Sequence, residues 1–174
     1  INNNARDYDL LYRAIKDLEP LASKVTFHFI GNSNTKQGVF WQKKLGTLAS
    51  SMIQFKFEPE YVSIKKYDIN LRNLDFMIVP CKESYPLGNV TEYYGQTNIT
   101  GAHSDMIKYA IPSLWIGHYP LNESLENITD RFSDANDLRA LIHTWVKERK
   151  FETFMPEQKA VLQEFGIESQ SAKL

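Results

Sequence analysis

The chain is poor in cysteine: Cys81 is its single thiol, so no disulfide can form within it. One isolated cysteine favours a reducing compartment. An excess of charge is lacking too, because 20 lysines and arginines stand against 21 acidic residues. That balance gives no reason to expect nucleic acid or an anionic membrane as a partner. Long apolar runs are also missing, and the longest, such as 76–80, could not span a bilayer.

The residues that are present alternate between strand-like and helical patterns, and 174 residues suit one domain. Short β-branched and aromatic runs bounded by Gly, Pro or Asn predict strands, and apolar residues three or four apart predict helices. Strands are predicted at 25–30, 53–57, 76–80 and 112–117, with Phe132 in an edge strand. Helices are predicted at 7–18, 37–48, 99–109, 136–150 and 153–165, with a short helix at 122–129, a helical turn at 67–71 and a loop at 81–95.

This alternation predicts an α/β fold with a mostly parallel sheet, because helical crossovers join parallel strands. Ligands of such sheets bind at the carboxyl ends of the strands. Those ends are expected at 31–32, 57–59, 80–83 and 117–118. No group of His, Cys, Asp and Glu has metal-ligand spacing, so we expect no bound metal. We also expect no cofactor.

Four short segments carry a family resemblance through their order and spacing. Residues 6–11 (Arg-Asp-Tyr-Asp-Leu-Leu) are similar to a "G-x-D-L-L" helix start, and 73–80 to a strand ending in proline. Residues 104–112 resemble an "E-A-M-a-x-G-x-P" helix and strand, and 136–138 an "e-d-L" helix start. Together they resemble the C-terminal domain of GT-B glycosyltransferases of the retaining, group 1 type.

The resemblance implies a Rossmann-like three-layer α/β/α domain over residues 1–150. Residues 151–174 would form a C-terminal helix that packs back on this domain or toward an N-terminal acceptor domain of the same protein. A further strand would lie just upstream of Ile1, so the sequence is expected to be a fragment of a longer enzyme.

The resemblance also implies a binding site for a nucleotide-diphosphate sugar. Arg6 would neutralise the diphosphate, and amides near the start of the helix that holds Asp105 would bind it. Asp105 would accept hydrogen bonds from the ribose hydroxyls. The same amides could instead form an ordinary helix cap. The expected substrate-binding residues are Arg6, Gly31, Asn32, Thr97, Thr100, Gly101, Ala102 and Asp105; no catalytic residue is assigned.

The chain departs from the family pattern at two places. The family has two acids eight positions apart; Asp105 matches the second, but Thr97 stands where the first belongs. Glu92 and Glu83 are the nearby acids that could be displaced substitutes. Ala110 replaces a glycine two residues before the proline of the strand.

The function implied by the resemblance is transfer of a sugar to a saccharide or lipid-linked acceptor, as in polysaccharide biosynthesis. The expected location is cytoplasmic, peripheral at the inner face of the membrane through the N-terminal domain. Two alternatives remain open. One is a sugar-nucleotide epimerase of the same architecture, which could recruit Glu83, Glu92 and His118. The other is a non-catalytic Rossmann-like interaction module, since fold does not fix function.

Overall fold

The computed structural model describes residues 5–18 and 20–165. The strands are β1 Val25–Phe29, β2 Ile53–Phe57, β3 Met77–Val79, β4 Ser84–Leu87, β5 Val90–Tyr93, β6 Ser113–Ile116 and β7 Thr129–Phe132. The helices are α1 Tyr8–Lys16, α2 Lys36–Gly46, α3 Ile64–Arg72, α4 Gly101–Tyr109, α5 Glu123–Glu126, α6 Ala135–Glu148 and α7 Met155–Phe165. A 3₁₀ turn, Lys150–Phe154, leads into α7.

The chain has a mixed α/β fold in which helices alternate with small parallel sheets. β1 pairs with β2 in parallel, with Val25 opposite Ile53. β3, β6 and β7 form a second parallel sheet with β6 in the middle. Over the described residues, no hydrogen-bonded ladder joins the two parallel sheets, so they show two small parallel sheets and no single large one.

The predicted loop at 81–95 is wrong, because β4 and β5 form an antiparallel hairpin there. Two residues, Gly88 and Asn89, connect Leu87 to Val90. Gly88 has φ +61°, and a glycine with positive φ at the first turn position suits a tight hairpin. The Gly-Asn pair between two β-rich runs is the sequence signal for this turn.

The region around 67–71 forms more than the predicted helical turn, because α3 spans nine residues. Ser63 caps it by accepting a hydrogen bond from the Lys66 amide at 3.3 Å. Leu71 is the one buried residue of the helix, which explains why its sequence has little helical periodicity.

Several helices begin at a side chain that accepts a hydrogen bond from a first-turn amide. Asp7 caps α1 through the Leu10 amide at 2.8 Å, and Thr35 caps α2 through the Gly38 amide at 3.0 Å. Such caps satisfy amides that have no partner within the helix. α4 differs, because its N-cap residue Thr100 makes no side-chain cap.

The core is centred on β6, whose four residues are all buried between β3 and β7. Trp115 lies fully inside, and its indole N–H donates to the Ser113 hydroxyl at 3.0 Å. Trp145 of α6 is equally buried and donates to the Asp130 carboxylate at 2.7 Å. Each buried indole therefore keeps a hydrogen-bond partner.

The last described helix, α7, packs on the rest of the chain. It contacts α4 and α5. Val161 is buried in the core, and the Gln158 amide donates to the Ala110 carbonyl at 2.8 Å. Within the predicted segment 151–174, residues 166–174 lie outside the described part of the chain.

Candidate functional site

A cleft of about 800 Å³ separates β1 from β3 and forms the candidate site. Residues 23–31 line one wall, and residues 73–78 with Pro80 line the other. Leu11 of α1 and Val146 of α6 contribute apolar surface. Near the carboxyl ends of the strands the lining becomes polar and includes Arg6, Gly31, Lys56, Tyr67, Gly101, Ala102 and Asp105.

Arg6 is held where β3 ends. The Asp7 amide donates to the Pro80 carbonyl at 2.7 Å, and the Lys82 amide donates to the Ala5 carbonyl at 3.2 Å. The Arg6 guanidinium donates to the Thr100 hydroxyl, and a second nitrogen lies 3.5 Å from the sulfur of Cys81. Among the residues that the structure describes, no carboxylate forms an ion pair with Arg6. Its charge is thus available to an anion in the cleft.

The first turn of α4 begins beside this guanidinium. Thr100 is buried, and its hydroxyl oxygen accepts from Arg6 instead of capping the helix. Gly101 is exposed, and a Cβ placed on it would meet no atom within 4 Å. Gly101 and Ala102 both line the cleft, so the start of α4, which carries the partial positive charge of a helix N-terminus, lies at the cleft.

Asp105 lies one turn into α4 and is half-buried. It accepts a hydrogen bond at 2.5 Å from the hydroxyl of Tyr67, which α3 brings to the other side of the polar end. Burial raises the pKa of Asp105, and the Tyr67 bond and Lys108 act against that rise. Burial likewise raises the pKa of Tyr67, and the neighbouring Asp105 adds to the effect. The pair is an acceptor and a donor suited to hydroxyl groups of a ligand.

Glu58 anchors a second polar cluster where β1 and β2 end. Its buried carboxylate contacts Nε2 of His28 at 2.9 Å and the Lys66 ammonium. Lys56 lies 3.8 Å away, and the Asn70 amide donates at 3.4 Å. The hydrogen bond from Lys66 is the main reason that the pKa of Glu58 falls to about 2. Burial lowers the pKa of His28 despite its Glu58 partner.

The structure brings together most of the residues expected from the sequence. Arg6, Gly31, Gly101, Ala102 and Asp105 line the cleft directly, and Thr100 contacts Arg6. Asn32 follows Gly31, and its side-chain oxygen accepts from the Asn34 amide at 2.9 Å.

Thr97 lies apart from this group. It is exposed at the end of the β4–β5 hairpin, where its hydroxyl donates to Glu92 at 2.7 Å and accepts from the Tyr93 amide at 2.9 Å. Neither Thr97 nor Glu92 is among the described residues that line the cleft.

The residues that an epimerase could recruit are also outside the cleft lining. Glu83 and His118 are exposed and absent from the described residues that form it. His103 is held instead by Tyr119, whose hydroxyl lies 3.1 Å from Nδ1, and burial lowers its pKa. Among the described residues, Glu83, Glu92 and His118 therefore do not join Asp105 in the cleft lining.

Two residues that shape the site are not predicted from the sequence: Tyr67 lines the cleft, and Glu58 pairs with the lining residues His28 and Lys56. Tyr67 lies in a segment without clear helical periodicity. It faces Asp105 only because α3 packs against α4. Glu58 directly follows β2, at a predicted carboxyl end, so its place was a usable signal. No local pattern in the sequence indicates that Glu58 is buried against His28 and next to Lys56 and Lys66.

No protein-family model matches the chain, and no curated protein shows significant similarity to it. Over residues 5–18 and 20–165, no three metal-ligating side chains cluster in a way that could hold an ion. Within the same ranges, every helix is too short or too polar to cross a bilayer.

Proposed function

We propose that this chain is the donor-binding domain of a glycosyltransferase and binds a nucleotide-diphosphate sugar at the polar end of the cleft. One observation carries the proposal. An arginine without an acidic partner among the described residues lies beside an uncapped helix N-terminus, one turn away from a half-buried acid. The three groups share one open cleft at the ends of parallel strands.

A diphosphate suits the Arg6 side of this site. Its two negative charges match a guanidinium and the partial positive charge of a helix N-terminus, and both groups are already in place beside Thr100. In sugar transfer the diphosphate is the leaving group. A fixed cation at that point stabilises charge that grows in the transition state.

A ribose suits the Asp105 side. A carboxylate can accept hydrogen bonds from two neighbouring hydroxyls, as acids do in dinucleotide sites. Tyr67 already donates to Asp105 and would keep one oxygen oriented. The sugar would then extend past Gly31, where a glycine leaves open space.

The described residues offer no pair of acids at the sugar position, because Thr97 replaces the first acid and faces away from the cleft. The proposal therefore assigns the acceptor site and the remaining catalytic groups to another domain of the same protein. We also propose that the two parallel sheets of this chain have a Rossmann-like arrangement. Transfer to a saccharide or lipid-linked acceptor requires that second domain, and this chain binds donor without catalysing transfer.

Calorimetry with UDP, GDP and their sugars tests the proposal. We expect binding by the chain and a loss of about 10- to 100-fold in affinity for Arg6→Ala, because a charged hydrogen bond contributes about 1.5–3 kcal/mol. Arg13→Ala is the matched control, since Arg13 is an exposed arginine on α1, the helix that follows Arg6. Absence of heat with every nucleotide at millimolar concentration, or equal affinities for both variants, would refute the proposal.

A further inference from the structure

The polar cluster around Glu58 carries more positive charge than its own members neutralise. Glu58 brings one negative charge, whereas the Lys66 ammonium in contact with it and the Lys56 ammonium at 3.8 Å bring two positive charges. Burial lowers the pKa of His28, so this histidine is neutral at pH 7 and adds no charge. The cluster therefore has one positive charge in excess.

Lys56 is the cation that Glu58 leaves available. The Lys66 ammonium donates a hydrogen bond to the Glu58 carboxylate, whereas Lys56 is too far from it for such a bond. Among the residues that the structure describes, no other carboxylate lies within ion-pair distance of Lys56. Lys56 lines the cleft, and Lys66 is not among the described residues that do. An anion that enters this part of the cleft therefore meets Lys56.

Helix α3 connects this cluster to Asp105. The Tyr67 hydroxyl donates to Asp105 at 2.5 Å, and the Asn70 amide donates to Glu58 at 3.4 Å. Tyr67 and Asn70 are three positions apart, so they are neighbours on one face of α3, and both line the cleft. The Asp105 side and the Glu58 cluster thus belong to one polar wall, on which their contacts with α3 are about 5 Å apart along the helix axis.

The part of the cleft next to this wall has room and polar groups for a sugar ring. Gly31 lies in the same lining, and a Cβ placed on it would meet no atom within 4 Å. His28 in β1 lies directly opposite Lys56 in β2, and both line the cleft. Because the Glu58 carboxylate can only accept, Nε2 of His28 donates to it, and Nδ1 of the neutral ring is an acceptor for a hydroxyl group.

We infer that the sugar of the donor carries a carboxylate and that Lys56 binds this carboxylate. The inference rests on the proposed function, in which Arg6 binds the diphosphate and the sugar extends past Gly31. A hexuronic acid fits the charge count, because its single negative charge balances the single excess charge of the cluster. A phosphorylated sugar would bring about two negative charges and exceed that balance, and a neutral sugar would leave Lys56 without a partner in the ligand.

Calorimetry with two pairs of donors tests the inference. The pairs are UDP-glucuronate with UDP-glucose, and GDP-mannuronate with GDP-mannose. Within each pair the base, the diphosphate and the sugar ring are the same, and only C6 changes from a carboxylate to a hydroxymethyl group. We expect the parent chain to bind the acidic member of at least one pair at least about fivefold more tightly, because an ion pair at a half-exposed lysine can add that much.

Three variants identify the group responsible for this preference. Lys56→Met should bind the two members of the pair with affinities within about twofold of each other and should keep the affinity for the neutral member. Lys56→Arg should retain the preference for the acidic member, which separates loss of the charge from damage to the fold. Lys24→Met is the matched control and should also retain it, because Lys24 is an exposed lysine that lines the same cleft just before β1, at the end away from Arg6.

Two results would overturn the inference and leave the proposed function intact. One is binding of donors by the parent chain with no preference for the acidic member of either pair. The other is a preference that persists in Lys56→Met, or that Lys24→Met abolishes to the same extent, since both would exclude a specific contact with Lys56. Absence of binding by all four donors would instead refute the proposed function, and this inference with it.

Discussion

Replacing Glu58 by glutamine removes the charge of a buried carboxylate and keeps its shape. The Glu58 side chain is 3% exposed, and its cationic neighbours Lys56 and Lys66 are 53% and 54% exposed. Glutamine can still bond with His28 and Asn70, but it loses the attraction to both lysines. We expect Glu58→Gln to be less stable than the parent chain at pH 7 and to have a flatter dependence of stability on pH.

The magnitude follows from the pKa of Glu58, which falls from an ordinary 4.5 to about 2. Each pKa unit is worth about 1.4 kcal/mol, so the folded state gains at most about 3 kcal/mol above pH 5. Solvent screening at the half-exposed lysines reduces this to about 1–2 kcal/mol. Because the folded pKa is the lower one, the unfolded chain binds more protons between about pH 5 and pH 2. Stability is therefore lost as the pH falls through that range.

Urea unfolding at several pH values between 5 and 2.5 measures this effect. Burial lowers the pKa of His28 from its ordinary 6.5 toward this range, and both proteins keep this histidine, so the test compares their pH slopes with each other. We expect the free energy of unfolding of the parent chain to fall with pH and that of Glu58→Gln to fall by about 1–2 kcal/mol less. Glu60→Gln is the control, because Glu60 is exposed two residues further on. Equal pH slopes for the parent chain and Glu58→Gln would refute the reasoning.

Three further predictions concern packing and the site. Gly38→Ala should destabilise the chain by about 1–3 kcal/mol in urea unfolding, because its Cβ would lie 2.1 Å from the Ser33 carbonyl oxygen. Gly46→Ala in the same helix meets no atom within 4 Å and should not destabilise; a similar loss in both variants would contradict this account. Tyr67→Phe removes the donor to Asp105 and should raise the pKa of that carboxyl, measured by NMR titration; an unchanged midpoint would show that the bond is unimportant. Leu114→Ala, fully buried in β6, should lower the free energy of unfolding by about 2–5 kcal/mol, and a loss under 1 kcal/mol would place the core elsewhere.

Much of the secondary structure follows from local patterns. The predicted strand at 53–57 has the observed bounds of β2, and the strand at 25–30 is one residue longer than β1. These runs are short, β-branched or aromatic and bounded by turn residues, so neighbours in sequence decide them. The hairpin at 84–93 has only the Gly88-Asn89 turn as its local signal, and the strands on either side of it are four residues each.

Some residues of the candidate site can likewise be predicted from the sequence, and others cannot. Arg6 and Asp105 were expected near strand ends, and both line the cleft. Thr97 was expected with them, but the hairpin holds it outside the lining. Tyr67 was not expected, because its contact with Asp105 joins residues 38 positions apart and has no local signature.

The sequence alone determined the alternation of strands and helices, since each element depends on residues that are close together in the chain. It also marked the ends of strands as the place for charged and small residues. Only the tertiary structure decided which strands pair and that β1 and β3 stay apart around a cleft. It also determined that Thr100 binds Arg6 instead of capping α4. The physical reason is that strand pairing, burial and capping depend on contacts between residues far apart in the chain. A local sequence pattern does not contain information about such contacts.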